Sequence, residues 1–420
     1  MFTSVEALCF RSLKCVRQPL GPFHVLVGPN ASGKTTFLDV IAFLGQLVAN
    51  GLEAAISERT SNFVDLLWQR SGSRFELAVE AALPDHLRSL SEPGFRSLRY
   101  EVAIGTDPDF HEVTIQDERV LLQSAEAQQN LRSPPELFPS SSSPPQTILS
   151  PERRPGTRTI INRALGRDDR SYYNLYSEPD KGGAPAFRLD PRKSSLSNLP
   201  EVESMFPVSI WLKQLLATGV QQLVLNSLAI RKASPPGQSR TFKPDGTNLP
   251  WLIDRLRRAS PPRFADWIAH LKTALPDLED VDTIEREDDR HRYLVLRYQG
   301  GLTVPSWMTS DGTLRLLALT LPAYLPDFTG VYLIEEPENG IHPRAVETMY
   351  QSLSSVYGAQ ILMATHSPVI LSLVEPAKVL CFAKNAEGAT DIVLGSDHPA
   401  LKEWKGETTL GTLFAAGVLG

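Results

Sequence analysis

Cysteine is scarce in this sequence, long apolar runs are missing, and neither sign of charge dominates. The 3 cysteines, Cys9, Cys15 and Cys381, are too few for a disulfide framework and have no zinc-site spacing. They are expected to be buried or inert thiols in a reducing compartment. No apolar stretch approaches the ~20 residues that a membrane helix needs. The opening residues MFTSVEALCFRSLK lack the basic-then-apolar order of a secretory signal. Together these absences predict a soluble, cytoplasmic chain with no membrane association. No heptad pattern is sustained, which argues against long coiled-coil arms, and no internal repeat is evident. A net charge of −6 gives no overall signal for nucleic acid. Arginines do cluster locally, at Arg153, Arg154, Arg158, Arg163, Arg167 and Arg170, and again at Arg255, Arg257 and Arg258. Such clusters are read either as solvated surface or as a phosphate-contacting face.

What is present is an ordinary globular composition, 42% hydrophobic and 21% charged over 420 residues. That length holds roughly two to three domain-sized units. Phe23 to Val27 (FHVLV) is a short apolar run bounded by Gly21-Pro22 and Gly28-Pro29, which predicts a buried strand. Apolar residues at Phe37, Leu38, Ile41, Leu44 and Val48 follow at helical spacing, so the order is strand, loop, helix. Further strands are expected around Phe75 to Val79 and Leu98 to Ile104. From Leu131 to Pro155 the chain is rich in proline and serine, which predicts long loops rather than regular elements. Beyond Pro200 the pattern predicts a helix near Ile210 to Thr218 and a strand near Leu223 to Ile230. An amphipathic segment from Leu249 to Ala274, interrupted at Pro261-Pro262, comes next, and then a strand from Arg292 to Tyr298.

Four segments carry chemistry. Gly28-Pro29-Asn30-Ala31-Ser32-Gly33-Lys34-Thr35-Thr36 satisfies GxxxxGK[ST]. In a chain of ordinary composition such a match arises by chance with odds of roughly 1–2%. Glycines let the backbone fold into a nest of N–H groups around phosphate oxygens, and the helix N-terminus adds its dipole. Lys34 is placed to reach the β and γ phosphates, and the Thr35 hydroxyl to ligate Mg2+. Val331-Tyr332-Leu333-Ile334-Glu335-Glu336 ends an apolar strand in two carboxylates, at the strand end where ligands sit in α/β sheets. Side chains alternate along a strand, so the two acids can differ in role. Glu335 is expected to hold Mg2+, and Glu336 to orient and deprotonate an attacking water. A short strand from Gln360 to Met363 leads into Ala364-Thr365-His366-Ser367-Pro368, which puts His366 within reach of a γ-phosphate. Ser310-Asp311-Gly312-Thr313 precedes an apolar helical run and forms another anion-binding helix start. One ATP needs one phosphate cradle, so a second one points to nucleotide held between two protomers.

These four segments, in this order, resemble the ABC-type ATPase heads of the SMC/RecF/OLD superfamily, and within it the stand-alone RecF-like AAA-type ATPases of bacterial defence and repair operons. GPNASGKTT resembles the Walker A motif, SDGTLR the signature, LIEEPENGIHP the Walker B with its D-loop, and THSP the switch histidine. Asp245-Gly246-Thr247-Asn248-Leu249 resembles a segment found upstream of the signature. The resemblance implies an α/β fold, a P-loop NTPase head with a mixed β-sheet and flanking helices, interrupted by a helical or irregular insertion. Residues 1–110 and 205–400 would form the discontinuous head, 111–204 the Pro/Ser/Arg-rich insertion, and 401–420 a tail. It also implies a head-to-tail homodimer around two ATP molecules, with Lys34 and Thr35 of one protomer facing Ser310 and Gly312 of the other.

The sequence departs from the pattern in three places. Glu335 stands where many relatives have aspartate, the Q-loop glutamine is not obvious, with Gln69 taken as its stand-in, and the stretch after His366 is too short for a Toprim nuclease. A nuclease or other effector is therefore expected on a separate chain. The leading expectation is an ATPase that switches such a partner, DNA-related and in anti-phage defence. The alternatives are a RecF-like repair clamp that binds DNA directly, a transporter nucleotide-binding subunit, and a nucleotide-bound scaffold without hydrolysis. The long separation of Lys34 from Ser310 argues against the transporter, and Glu336 argues against the scaffold.

Overall fold

Strand β1 (Phe2–Phe10) is buried along almost its whole length, whereas β2 (Leu13–Pro19) alternates buried and exposed side chains as a sheet-edge strand should. β3 (Phe23–Val27) follows and leads into the first long helix, Lys34–Asn50. The computed structural model describes residues 1–88, 94–107, 112–125, 145–151, 155–165, 171–179, 183–398 and 410–415. These fall into two units. The first comprises Met1–Gly21, Pro29–Val220 and Phe382–Ile392, the second Pro22–Gly28, Gln221–Cys381 and Val393–Gly420.

The first unit is built on an 8-stranded sheet of order β2-β1-β4-β5-β6-β7-β8-β9. Its later members are β4 (Arg74–Ala82), β5 (Phe95–Thr106), β6 (Val113–Ser124), β7 (Thr157–Leu165), β8 (Ser171–Tyr176) and β9 (Gly183–Arg188), and every adjacent pair is antiparallel. Phe10, Phe43, Phe63 and Phe75 make an aromatic cluster with centroid separations of 5.0 to 5.8 Å. It joins the sheet to the Lys34–Asn50 helix. The expected strands around Phe75 and Leu98 are β4 and β5.

The stretch 111–204, expected to be helical or irregular, instead carries β6 to β9 and continues the sheet. Its strands do not show the usual apolar alternation because polar side chains occupy inward positions. Glu118, Gln123 and Arg163 are each 0% exposed. Glu118 accepts from the Tyr100 hydroxyl at 2.9 Å, Ser194 Oγ at 2.6 Å and the Leu196 N–H at 3.1 Å. Arg163 donates to the Lys193 and Asp190 carbonyls. Nearby, Arg99 is ringed by Glu6, Glu80 and Glu101 at 2.5 to 3.1 Å. Buried charges persist only when paired and hydrogen-bonded; Glu6 and Glu80 are paired with Arg99, while Glu118 and Glu101 also accept backbone N–H groups of crossing segments, from Ser195 and Leu196 and from Ser150. Most of the Pro/Ser run, together with Arg153, Arg154, Arg167, Arg170 and residues 401–409 and 416–420, lies outside the described residues.

The second unit carries most of a 6-stranded sheet of order β10-β14-β15-β3-β16-β17, from β10 (Val220–Leu223), β14 (Gly330–Glu335), β15 (Ala359–Ala364), β16 (Val379–Lys384) and β17 (Thr390–Leu394). β14, β15, β3 and β16 are parallel neighbours, and parallel strands covered on both faces read as unbroken apolar runs. A 3-stranded antiparallel sheet, β11 (Leu278–Glu285), β12 (Arg292–Tyr298) and β13 (Thr303–Pro305), lies elsewhere in the unit.

The amphipathic segment is two helices, Leu249–Ala259 and Pro261–Ala274, broken at Ser260 where the prolines open the second. Leu249, Leu252, Ile253 and Leu256 are buried on the first and Phe264, Trp267, Ile268 and Leu271 on the second. Each of these large apolar residues contributes about 1.5–3 kcal/mol when fully buried. The strand expected at Leu223 to Ile230 is corrected: the strand ends at Leu223, and Ser227–Ile230 is a helical turn. Asn226 caps that turn, accepting the Ala229 N–H at 3.1 Å. The three thiols are free, Cys381 buried, Cys9 half-buried and Cys15 exposed. Burial pushes the Cys381 thiol up to about 11.

Candidate functional site

β3 ends at Val27 and the chain then makes three left-handed turns, Gly28 at φ 145, Ala31 at φ 61 and Gly33 at φ 106. For Ala31 that conformation costs on the order of 1–3 kcal/mol, and its persistence marks a loop held for a purpose. Gly33 stands at the N-cap of the Lys34–Asn50 helix and offers no side-chain cap. The helix start points its N-terminal dipole at this loop, which favours an anion there. Lys34 is buried, and its Nζ donates to the Pro29 carbonyl at 2.9 Å. Ser32 Oγ is also buried and has no hydrogen-bond partner among the described residues. A phosphate oxygen would satisfy it. Asn30 and Thr35 are exposed and Thr36 is half-buried. Backbone nest, cation and orphaned hydroxyl together fit a phosphate group.

In the second unit Glu335 closes β14 opposite Ala364 of β15. It is half-buried, and Gln222 Nε2 approaches its carboxylate at 3.5 Å. Glu336 leaves the strand with φ 46, a conformation rare outside glycine, and is exposed. Three hydrogen bonds hold it. Its N–H donates to the Ala364 carbonyl at 2.8 Å, the Asn339 N–H donates to its carbonyl at 3.0 Å, and Asn339 Nδ2 donates to its Oε2 at 2.5 Å.

His366 follows β15 and is half-buried. Its position depends on Glu338, whose Oε1 accepts the Thr365 hydroxyl at 2.6 Å and the His366 N–H at 3.0 Å. Glu338 and Asn339 were in plain view in EEPENG, yet nothing in the spacing says that one reaches a loop on the next strand. Replacing Glu338 by Ala orphans two donors, one of them on the fully buried Thr365. The expected cost is about 1–3 kcal/mol of stability, read by urea unfolding, with Glu338→Gln retaining most of it because the amide oxygen still accepts.

Ser310 caps the helix Asp311–Thr320, its Oγ accepting the Thr313 N–H at 3.2 Å. A Cβ at Gly312 would stand 2.5 Å from the Gly340 carbonyl, so this glycine also permits a close backbone approach. Asp245 to Leu249 is a capping turn. Asn248 is fully buried, and its amide donates to the Ser239 and Thr241 carbonyls at 3.1 and 2.7 Å. Gln69 lies in the first unit at φ 51 and donates to the Glu387 carbonyl at 3.4 Å. Of the arginine clusters, Arg255, Arg257 and Arg258 each meet an aspartate, Asp327, Asp280 and Asp254, at 3.2, 2.8 and 3.0 Å. Arg158 donates to the Ser177 carbonyl at 2.8 Å. No helix among the described residues is long and apolar enough to cross a membrane.

A family model described as "AAA domain, putative AbiEii toxin, Type IV TA system" matches residues 23–372. A solved Smc head bound to the C-winged helix domain of ScpA is similar in fold, with a TM-score of 0.53 and 14% identity, covering 93% of this chain and 97% of that one. A Pyrococcus furiosus Smc head with an extended coiled coil, bound to the C-terminal domain of ScpA, gives 0.49 and 12% over 93% and 95% of the two chains. A Thermotoga maritima SMC head gives 0.43 and 10% over 94% and 98%. No curated protein matches in sequence.

Proposed function

The chain belongs to this family of AAA domains, and from that premise we propose that it is a Mg2+-dependent ATPase that dimerises head to tail around ATP and switches a separate effector chain. The observation that carries this reading is the phosphate cradle at Gly28 to Lys34, with its left-handed backbone, uncapped helix start and buried lysine. In this reading Lys34, Ser32 and the loop amides bind the phosphates, with Asn30, Ala31 and Thr36 lining the loop. Glu336 takes the proton of a water attacking the γ-phosphorus, and His366 hydrogen-bonds the γ-phosphate. Thr35 and Glu335 are the residues that would hold Mg2+, which supplies charge neutralisation on the β and γ phosphates. Ser310 and Gly312 of one protomer face the phosphates bound by Lys34 and Thr35 of the other.

The family's description as a toxin of a type IV system supports a role in defence, and a DNA-acting nuclease is the class of effector proposed. The RecF-like clamp that grips DNA directly has less support, because Arg255, Arg257 and Arg258 are engaged with aspartates. The similar Smc head binds ScpA's winged-helix domain, and that likeness supports a partner chain for this protein.

The test is the solution mass of the Glu336→Gln chain with and without Mg-ATP. Doubling on ATP addition is the expected result. A monomer mass both with and without Mg-ATP would remove the trans role of Ser310 and Gly312, whereas a dimer mass under both conditions would mean a constitutive assembly.

A further inference from the structure

Behind the phosphate loop, in the first unit, stands a pair of hydroxyls, Ser12 from near the start of the chain and Thr390 from near its end. Thr390 opens strand β17 (Thr390–Leu394) and is 5% exposed. Its N–H donates to the Ser12 carbonyl at 3.0 Å. Its Oγ1 lies 2.9 Å from the Ser32 carbonyl and 3.1 Å from Ser12 Oγ. A hydroxyl has one hydrogen to give, and a carbonyl can only accept. Thr390 therefore donates to Ser32, and Ser12 donates to Thr390, which fixes the direction of the whole chain of bonds. A Cβ at Gly33 would stand 2.1 Å from Thr390 Oγ1 and 3.0 Å from Ser12 Oγ, so the pair is packed directly against the loop. The hairpin that carries Thr390 is pinned twice more. Glu387 pairs with Lys14 at 2.5 Å, and its carbonyl accepts from Gln69.

The peptide linking Ser32 to Gly33 is trans and planar, so the Ser32 C=O and the Gly33 N–H point in opposite directions. Whatever fixes the carbonyl also aims the amide. We propose that Thr390, backed by Ser12, is a positioning residue for the phosphate loop, holding the Ser32 carbonyl so that the Gly33 N–H faces the bound phosphate. Left loose, the same peptide could turn its oxygen towards an anion and repel it. This rests on the reading of Gly28 to Thr36 as a nucleotide phosphate cradle.

The experiment compares ADP affinity by calorimetry, and the kcat and KM for ATP, in the full chain and its Thr390→Val, Thr390→Ser and Ser12→Ala forms. Valine keeps the shape and removes the donor. It is expected to weaken ADP binding and raise KM about tenfold, the effect of one orphaned buried carbonyl, with kcat nearly unchanged. Serine keeps the hydroxyl and should restore both values, and Ser12→Ala should give a smaller loss in the same direction. ADP affinity unchanged in Thr390→Val would overturn the proposal, as would a serine form no better than the valine one. Should Thr390→Val fail to fold, Ser12→Ala decides, since unchanged ADP affinity there also sinks the proposal. An unaltered chain that binds no ADP would instead overturn the cradle itself, and the positioning role with it.

Discussion

Glu336→Gln is expected to lower ATP turnover by ~10²–10⁴-fold, the size of a general-base contribution, while leaving ATP affinity near that of the unaltered chain. The substitution is a narrow one in this setting. Glutamine keeps the length of the side chain, its amide oxygen still accepts from Asn339, and the backbone bonds to Ala364 and Asn339 do not involve the carboxylate. What disappears is the ability to take a proton from water. Phosphate release measured beside fluorescent-nucleotide binding separates the two effects. Turnover equal to that of the unaltered chain would take Glu336 out of the base role and leave Asn339 as a purely structural partner.

Lys34→Ala is expected to weaken ATP binding by ~10²–10³-fold, in line with the loss of one partner from a desolvated charge contact. Lys34 is 7% exposed, so its ammonium is already largely out of water before any phosphate arrives. The Pro29 carbonyl, 2.9 Å from Nζ, satisfies part of it. Alanine removes a buried cation as well as a ligand contact, so the fold itself should be little harmed. Nucleotide titration alongside thermal melting reads both. A preserved ATP affinity in a well-folded Lys34→Ala chain would contradict the phosphate-loop reading.

Which parts of this molecule could be read from sequence follows from how each part is built. β3, β14 and β15 are central parallel strands whose burial pattern leaves few polar interruptions, so FHVLV, VYLIE and QILMA stand out. The site residues lie at the ends of these strands and inherit the same clarity. β6 to β9 were hidden for the opposite reason. Glu118, Gln123 and Arg163 sit fully buried in their strands, and a search for apolar alternation passes over them. Asn226 turned an expected strand into a helical turn because a single side-chain bond to Ala229 outweighed a mildly apolar run. Glu338 needed a contact 28 residues away, and Thr390 one 358 residues away, neither of which leaves a trace in local spacing. The glycine at 33 was legible as part of a motif. That its missing Cβ makes room for Thr390 was not.

The position of β3 between β15 and β16 also bears on how the protein is made. A ribosome adding ~5–20 residues per second releases Phe23–Val27 long before either neighbouring strand exists. For a period on the order of tens of seconds, the nascent chain carries a short, strongly apolar segment with both edges unpaired. Non-local parallel pairing of this kind is slow even in the finished polypeptide. The phosphate loop attached to β3 can take its final shape only after Ala359–Ala364 and Val379–Lys384 have been synthesised and docked. Newly made chains should therefore pass through a stage that holdase chaperones recognise, and truncations lacking the strands beyond Ala359 should collect there.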